Sequence, residues 1–281
     1  MKPLEALFGK HPEGTGIFVG SGASGAIAAN KSAAWFDRNF DFALVPNAGY
    51  KAMAGIAANT KHCRWYSMCV EGALIRRPWW WGIPAPYIRI IDHVSYGSWA
   101  EKYMVKKAMP KERFTYLHNS YESERTQHCD KFSVRRYTCI NEKSMKAKGL
   151  LLGPADYTFA RAQQAGTVGI QSIHFAGLLG AKKLYMLGYE LHCAGGVHHY
   201  FAPELKPFEP HNGSSNNVRP IDPKDFTEVE YHGERIRTFK QYANDVPLIK
   251  RIYPICKAEK LEIVRACDSL AEMIPYTELP L

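Results

Sequence analysis

The sequence predicts an α/β fold: a mostly parallel sheet flanked by helices, with a loop-rich insertion and a lid. Three observations carry this. A short apolar strand near the N-terminus runs into a glycine-rich turn and a small-residue helix start. Two more apolar runs follow, the first separated from the second by a helix-compatible segment, and a helix-to-strand step recurs late in the chain. The 281 residues, 46% of them hydrophobic, suffice for one large domain with a sizeable core, so residues 1–281 are expected to form a single nucleotide-binding domain.

In chain order, Gly16 to Val19 read as a buried strand and Gly20 to Gly25 as the glycine-rich turn. A second strand, Phe42 to Val45, ends at Pro46 and Asn47, and the alanines of AGYKAMAGIAANTK favour a helix before a third strand, Arg64 to Val70. The next stretch, RRPWWWGIPAPYIRIIDHVSYGSW, holds four of the six tryptophans and three prolines and keeps no helical period. Residues 76–148 are therefore expected as a loop-rich insertion, with strand character at Phe114 to His118. Order returns with an apolar helix, Val168 to Leu179, a Gly180 stop and a strand, Lys183 to Leu187. Residues 192–227, rich in Pro, Gly, Asn and His, read as a lid-like loop. Ile236, Phe239, Tyr242, Val246, Ile249 and Tyr253 share one side of a final helix that Pro247 should bend, and Leu261 to Val264 close as a strand.

Several classes are disfavoured. No run approaches the roughly 18 to 20 apolar residues of a membrane span, and the N-terminus lacks the pattern of a signal peptide, so the expected location is cytoplasmic. Seven cysteines, without CxxC spacing, suit reduced thiols better than a disulfide framework or a zinc knuckle. The formal charge of +9 attracts polyanions, but the basic residues are spread along the chain and charge alone does not name a partner. The oligomeric state is left open.

The string GSGASG, with Gly20, Gly22 and Gly25, fits GxGxxG after a strand and before a helix, where backbone N–H groups and the helix dipole meet phosphate or ribose oxygens. A tight turn needing small residues accounts for the same glycines equally well. Dinucleotide binding further wants an acidic residue at the end of the second strand, and here that strand ends Val45, Pro46, Asn47.

Taken together, GSGAS, then Asn47 past the second strand, then AGTVGIQSIHFAGLLGAKKLYMLGYEL, then a Tyr-His-Gly ahead of the last helix resemble the bacterial sialyltransferases of glycosyltransferase family 42. The wider group with this layout includes motility-accessory-factor and pterin pyrophosphokinase-like proteins. The similarity covers the first seventy residues and roughly Ala165 to Ile274. It implies a Rossmann-like, GT-A-like sheet in which Gly20, Ser21 and Gly22 approach the nucleotide and Asn47 hydrogen-bonds it. Ser21 stands where the family has asparagine. Gly166, Thr167 and Val168 match the turn that holds the nucleotide beside a helix. Glu190 replaces the family's Asp, and a carboxylate that only fixes the loop is an equal reading of it. His232, in YHGERIRTF, matches the family's general base, and an imidazole accepts a proton at neutral pH. Where the family uses two tyrosines on the leaving phosphate, HCAGGVHHYF offers His192, His198, His199 and Tyr200; flexible loop histidines or a metal set are the competing readings.

No DxD triplet occurs, which favours metal-independent transfer with no cofactor; the resemblance implies a CMP- or UDP-linked sugar as donor substrate. Trp79, Trp80 and Trp81, with Arg76 and Arg77 beside them, form a candidate acceptor surface able to stack on sugars or unstacked bases, although a satellite core explains tryptophans as well. The expected function is a glycosyltransferase acting on an acceptor hydroxyl, in a glycan or on a hydroxylated base in DNA. Two alternatives remain: a pyrophosphokinase-like ATP-dependent phosphotransferase using Glu190, Asp222 and Asp225 to hold a divalent metal, and a non-catalytic nucleotide- or nucleic-acid-binding protein.

Overall fold

The structure, a computed structural model, describes residues 2–3, 7, 9–69, 87–92, 115–118, 167–193, 196, 199–202 and 222–281. Its strands are β1 (Lys2–Pro3), β2 (Thr15–Val19), β3 (Phe42–Pro46), β4 (Arg64–Cys69), β5 (Ile88–Asp92), β6 (Thr115–His118), β7 (Lys183–Leu187), β8 (Phe226–Tyr231), β9 (Glu234–Phe239) and β10 (Glu262–Arg265). The α-helices are α1 (Gly25–Ala29), α2 (Ala33–Asn39), α3 (Tyr50–Asn59), α4 (Val168–Leu179) and α5 (Lys240–Ala258). Eight strands make one sheet in the order β1-β6-β5-β4-β3-β2-β7-β10, and every described pairing in it is parallel.

The central strands are apolar at consecutive positions because both faces of the sheet are covered. Ile17, Val19, Ala43, Val45 and Trp65 pack with Ala28, Trp35, Phe36, Met53 and Ala57 of α1 to α3. The alternate residues Phe18, Phe42, Leu44, Tyr66 and Met68 pack with Ile170, Ile173 and Phe175 of α4 and Leu248, Ile249 and Ile252 of α5. Helix α4 begins at Thr167, whose hydroxyl caps the Gly169 amide, and stops at Gly180 in the left-handed region (φ 87°). Gly169 through Leu179 are all buried, which explains why the helix is apolar on every side. Helix α5 instead buries one stripe, Asp245, Leu248, Ile249, Ile252 and Cys256. Pro247 and Pro254 lie on its exposed side, and the helix runs through both.

One expectation is corrected here. Ile236 and Phe239 do not belong to the final helix but to β9, which pairs antiparallel with β8 in a separate hairpin. FTEVEY-HG-ERIRTF alternates with period two, setting Val229 opposite Ile236 and Phe226 opposite Phe239. His232 and Gly233 form the two-residue turn, both at positive φ (52° and 79°), as a type I′ hairpin requires. Of the stretch 76–148, Ile88–Asp92 and Thr115–His118 are strands of the main sheet. Of 192–227, Pro223–Asp225 form a 3-10 turn leading into β8. Among the described residues no helix is long and apolar enough to cross a membrane.

From β2 the chain moves through β3, β4, β5 and β6 to one side, then returns to place β7 on the other side of β2. Strand order therefore reverses between β2 and β7, and the crevice outside the carboxyl ends of strands at such a reversal is where α/β sheets bind ligands.

Candidate functional site

Strands β2 and β7 run side by side to Val19 and Leu187, and a glycine follows each. Gly20 N donates to Leu187 O (2.7 Å) and Gly22 N to Gly188 O (3.1 Å). A Cβ on Gly20 would stand 2.2 Å from Gly188 O, so the two backbones touch. Beyond Gly188 the chain turns Glu190 beneath the glycine turn, 3% exposed. Its Oε1 accepts from Ser24 N (2.7 Å), while Ser24 Oγ accepts from Gly188 N (2.8 Å). Its Oε2 lies 1.7 Å from where a Gly22 Cβ would be, and the Tyr200 ring lies 2.6 Å from a Gly25 Cβ.

Each glycine of GSGASG thus faces a group of this chain: a backbone, a carboxyl or a phenol ring. The expectation that Gly22 approaches a phosphate does not fit, because the Glu190 carboxyl occupies the turn and holds the Ser24 amide that an anion would use. Ser21 is engaged as well. Its side chain hydrogen-bonds Tyr242 of α5, and its carbonyl accepts from Tyr200 N (2.9 Å).

A different cluster forms at the carboxyl ends of β3 and β4. Asn47 opens a 3-10 turn with φ 48°, a left-handed conformation that asparagine tolerates better than most residues. Its Oδ1, the Ser67 Oγ and the Tyr200 hydroxyl are buried polar atoms without a hydrogen-bond partner among the described residues. Ser67 faces Val45 across the β3–β4 register. A Cβ on Gly49 would lie 3.1 Å from Val45 Cγ1 and 3.9 Å from the Tyr200 hydroxyl, so Tyr200 reaches the turn that Asn47 opens. Tyr50 and Tyr87 border it, with ring centroids 6.1 Å apart and the Tyr87 hydroxyl donating to Tyr50 O (3.2 Å). Burial pushes the Tyr200 and Tyr87 phenols well above their ordinary pKa, so both keep a proton to donate at neutral pH.

Thr167 takes a role other than the one expected. It is 8% exposed; its amide donates to Asp245 Oδ1 (2.9 Å) and its hydroxyl hydrogen-bonds Asp245 Oδ2. The Tyr189 hydroxyl donates to the same Oδ2 (2.9 Å). With its amide and hydroxyl both committed to Asp245, Thr167 ties the start of α4 to α5 instead of facing a nucleotide; Val168 packs against the core beside it. Burial raises the Asp245 carboxyl to about 7, and the hydrogen bonds from Thr167 and Tyr189 only partly offset that.

His232 sits at the hairpin tip with its side chain 62% exposed and Nε2 3.5 Å from Glu272 Oε1. It does not directly precede α5, because β9 intervenes. Its link to the sheet edge runs through rings: His232 to Tyr231 at 4.0 Å and Tyr231 to His192 at 5.5 Å. The Tyr231 hydroxyl donates to Asp268 Oδ1 (2.5 Å). Burial lowers the His192 pKa, against the pull of Asp268 and Glu190. His199 stacks on Phe201 at 5.1 Å. Asp222 and Asp225 form a reciprocal capping box about their own 3-10 turn, while Glu190 holds Ser24, so these three carboxyls do not share a site. Among the described residues no group of three or more His, Cys, Asp or Glu side chains is placed to hold a metal ion. Arg77, Trp79, Trp80, Trp81, Gly166 and His198 lie outside the described residues.

Ser67 and Asp245 are the site residues that sequence reasoning missed. Asp245 carries a readable signal, since it falls three residues after Tyr242 and four before Ile249, on the apolar stripe of α5. Ser67 offers only its small polar side chain within an otherwise bulky strand. Compared with models of protein families, with curated proteins and with solved structures, the chain finds no match in any of the three.

Proposed function

We propose that the chain is a glycosyltransferase that moves a sugar from a CMP- or UDP-linked donor to an acceptor hydroxyl, on a sheet of the Rossmann-like, GT-A-like kind. The observation that carries this reading is that Asn47 Oδ1, just past β3, Ser67 Oγ, on β4, and the Tyr200 hydroxyl, which reaches the Asn47 turn, are buried and without partners among the described residues. Buried polar groups ordinarily find a partner, and a bound ligand can supply it. These three are uncharged, so they suit the base and ribose of a nucleoside better than its phosphate; Asn47 Oδ1 accepts from an amino or hydroxyl group, and Tyr200 donates.

In this reading His232, oriented by Glu272, takes the proton of the acceptor hydroxyl as that oxygen bonds to the anomeric carbon. The bond from the anomeric carbon to the nucleotide phosphate oxygen breaks, and the nucleotide leaves with the electron pair, its phosphate met by His199 while Tyr200 holds the nucleoside. The missing DxD triplet supports transfer without a metal. The acceptor is a glycan or a hydroxylated base in DNA.

The test is a donor screen without acceptor, reading thermal shift and slow hydrolysis with CMP- and UDP-sugars, ATP and NAD. Stabilisation and hydrolysis by one nucleotide sugar, insensitive to EDTA, is the expected result. A shift only with ATP and Mg²⁺ would overturn the reading in favour of phosphotransfer.

A further inference from the structure

Helix α5 presents exposed cations that have no ion-pair partner among the described residues. Lys240, Lys250, Arg251 and Lys257 are exposed on it, and Lys260 follows in the next turn. The helix has one acid, Asp245, which is fully buried; Glu259 stands just beyond its end. In the hairpin Glu228 lies opposite Arg237 and Glu230 opposite Arg235, while Lys182 pairs with Glu13 (3.4 Å) and Lys183 with Glu262 (3.2 Å). The α5 cations have no ion-pair partner among the described residues, so their field points outward. At 1.5 Å per residue, Lys240 to Lys257 extends about 25 Å.

We infer that the outward face of α5 docks a nucleic-acid duplex through its phosphates. A duplex carries about one charge per 1.7 Å of axis, so four cations spread over this length can each meet a phosphate. Between the cations the exposed residues are Asn244, Pro247, Pro254 and Ala258, with no large apolar side chain to enter a bilayer. The exposed large hydrophobics among the described residues are Ile27, Tyr276 and Leu281, none of them on α5. A membrane-surface helix needs an apolar face of that kind, so a duplex is favoured over a lipid surface. The same face lacks the exposed aromatic rings on which single-stranded bases stack. This inference does not rest on the transferase reading. If both hold, the docked duplex carries the acceptor.

The experiment measures fluorescence anisotropy of a mixed-sequence 20-bp DNA duplex titrated with the full chain between roughly 50 and 300 mM salt. Four phosphate contacts predict a slope of log K against log salt near −3.6, at about −0.9 per contact. The pair K250E/R251E is expected to weaken binding at least tenfold and to shrink the slope by about 1.8. A control pair, R38E/K61E, also exposed but on the α2–α3 side of the sheet, opposite the face α5 covers, is expected to change affinity less than twofold. Thermal melting confirms that both variants fold. No binding at 50 mM salt, an equal loss in the control pair, or tighter binding to phosphatidylserine vesicles than to the duplex would each overturn the inference.

Discussion

The fit of Glu190 beneath Gly22 predicts strong coupling between two residues far apart in the chain. In Gly22→Ala the new methyl carbon would sit 1.7 Å from Glu190 Oε2 and 2.7 Å from its Cδ, so the carboxyl must leave. It then gives up the Ser24 amide (2.7 Å), a bond whose loss costs about 1.5–3 kcal/mol when the acceptor is ionised. At 3% exposure it has little access to water, and a buried polar group left unpaired adds roughly 1–3 kcal/mol. Gly22→Ala should therefore cost about 3–5 kcal/mol. Glu190→Ala loses the bond to Ser24 and should cost about 2–3 kcal/mol. In the double variant there is no carboxyl for the methyl to displace. Its cost should match Glu190→Ala alone, so the coupling in the cycle equals the whole Gly22→Ala cost, about 3–5 kcal/mol. Urea denaturation of the four proteins measures each value. Additivity to within about 0.5 kcal/mol, or a Gly22→Ala variant as stable as the parent, would refute the packing argument.

Asp245 predicts a pH dependence. Its carboxyl is raised from 3.8 to about 7, so the folded state holds this proton more tightly than the unfolded one. Its contribution to stability is fully present below about pH 4 and is lost as the pH rises toward 7, on the order of 4 kcal/mol at about 1.4 kcal/mol per unit. Asp245→Asn, which retains an acceptor for Thr167 N, should flatten this part of the stability–pH curve; an unchanged slope would count against a buried, proton-bearing Asp245. Tyr200→Phe removes a hydroxyl that has no partner among the described residues, so the melting temperature should hold while affinity for the donor nucleotide falls about five- to tenfold, roughly the worth of one hydrogen bond, by calorimetry. His232→Asn puts a residue better suited to φ 52° beside Gly233, and should leave the hairpin as stable or up to about 1 kcal/mol more so. Transfer should fall by at least about 100-fold if His232 is the base, and turnover at the parent rate would remove it from that role.

The sequence by itself determined the pieces whose causes are local. Strands β2, β3 and β7 were legible as short apolar runs ended by glycine or proline-asparagine, β4 as a run of large side chains, and α4 by its apolar stretch and its stop at Gly180. The hairpin was misread because Ile236, Phe239 and Tyr242 follow one another at three residues, a helical spacing that runs on into α5; the positive φ at both His232 and Gly233, together with the cross-strand pairs, decides for the strand. Only the tertiary structure decided what the glycines are for and what Thr167 does. The partner of Ser24 is Glu190, 166 positions on, and the partner of Thr167 is Asp245, 78 positions on. Periodicity and turn chemistry record how a residue treats its neighbours in sequence. Which carboxyl fills a turn depends instead on β7 returning beside β2, and that placement is set by how both faces of the sheet are buried.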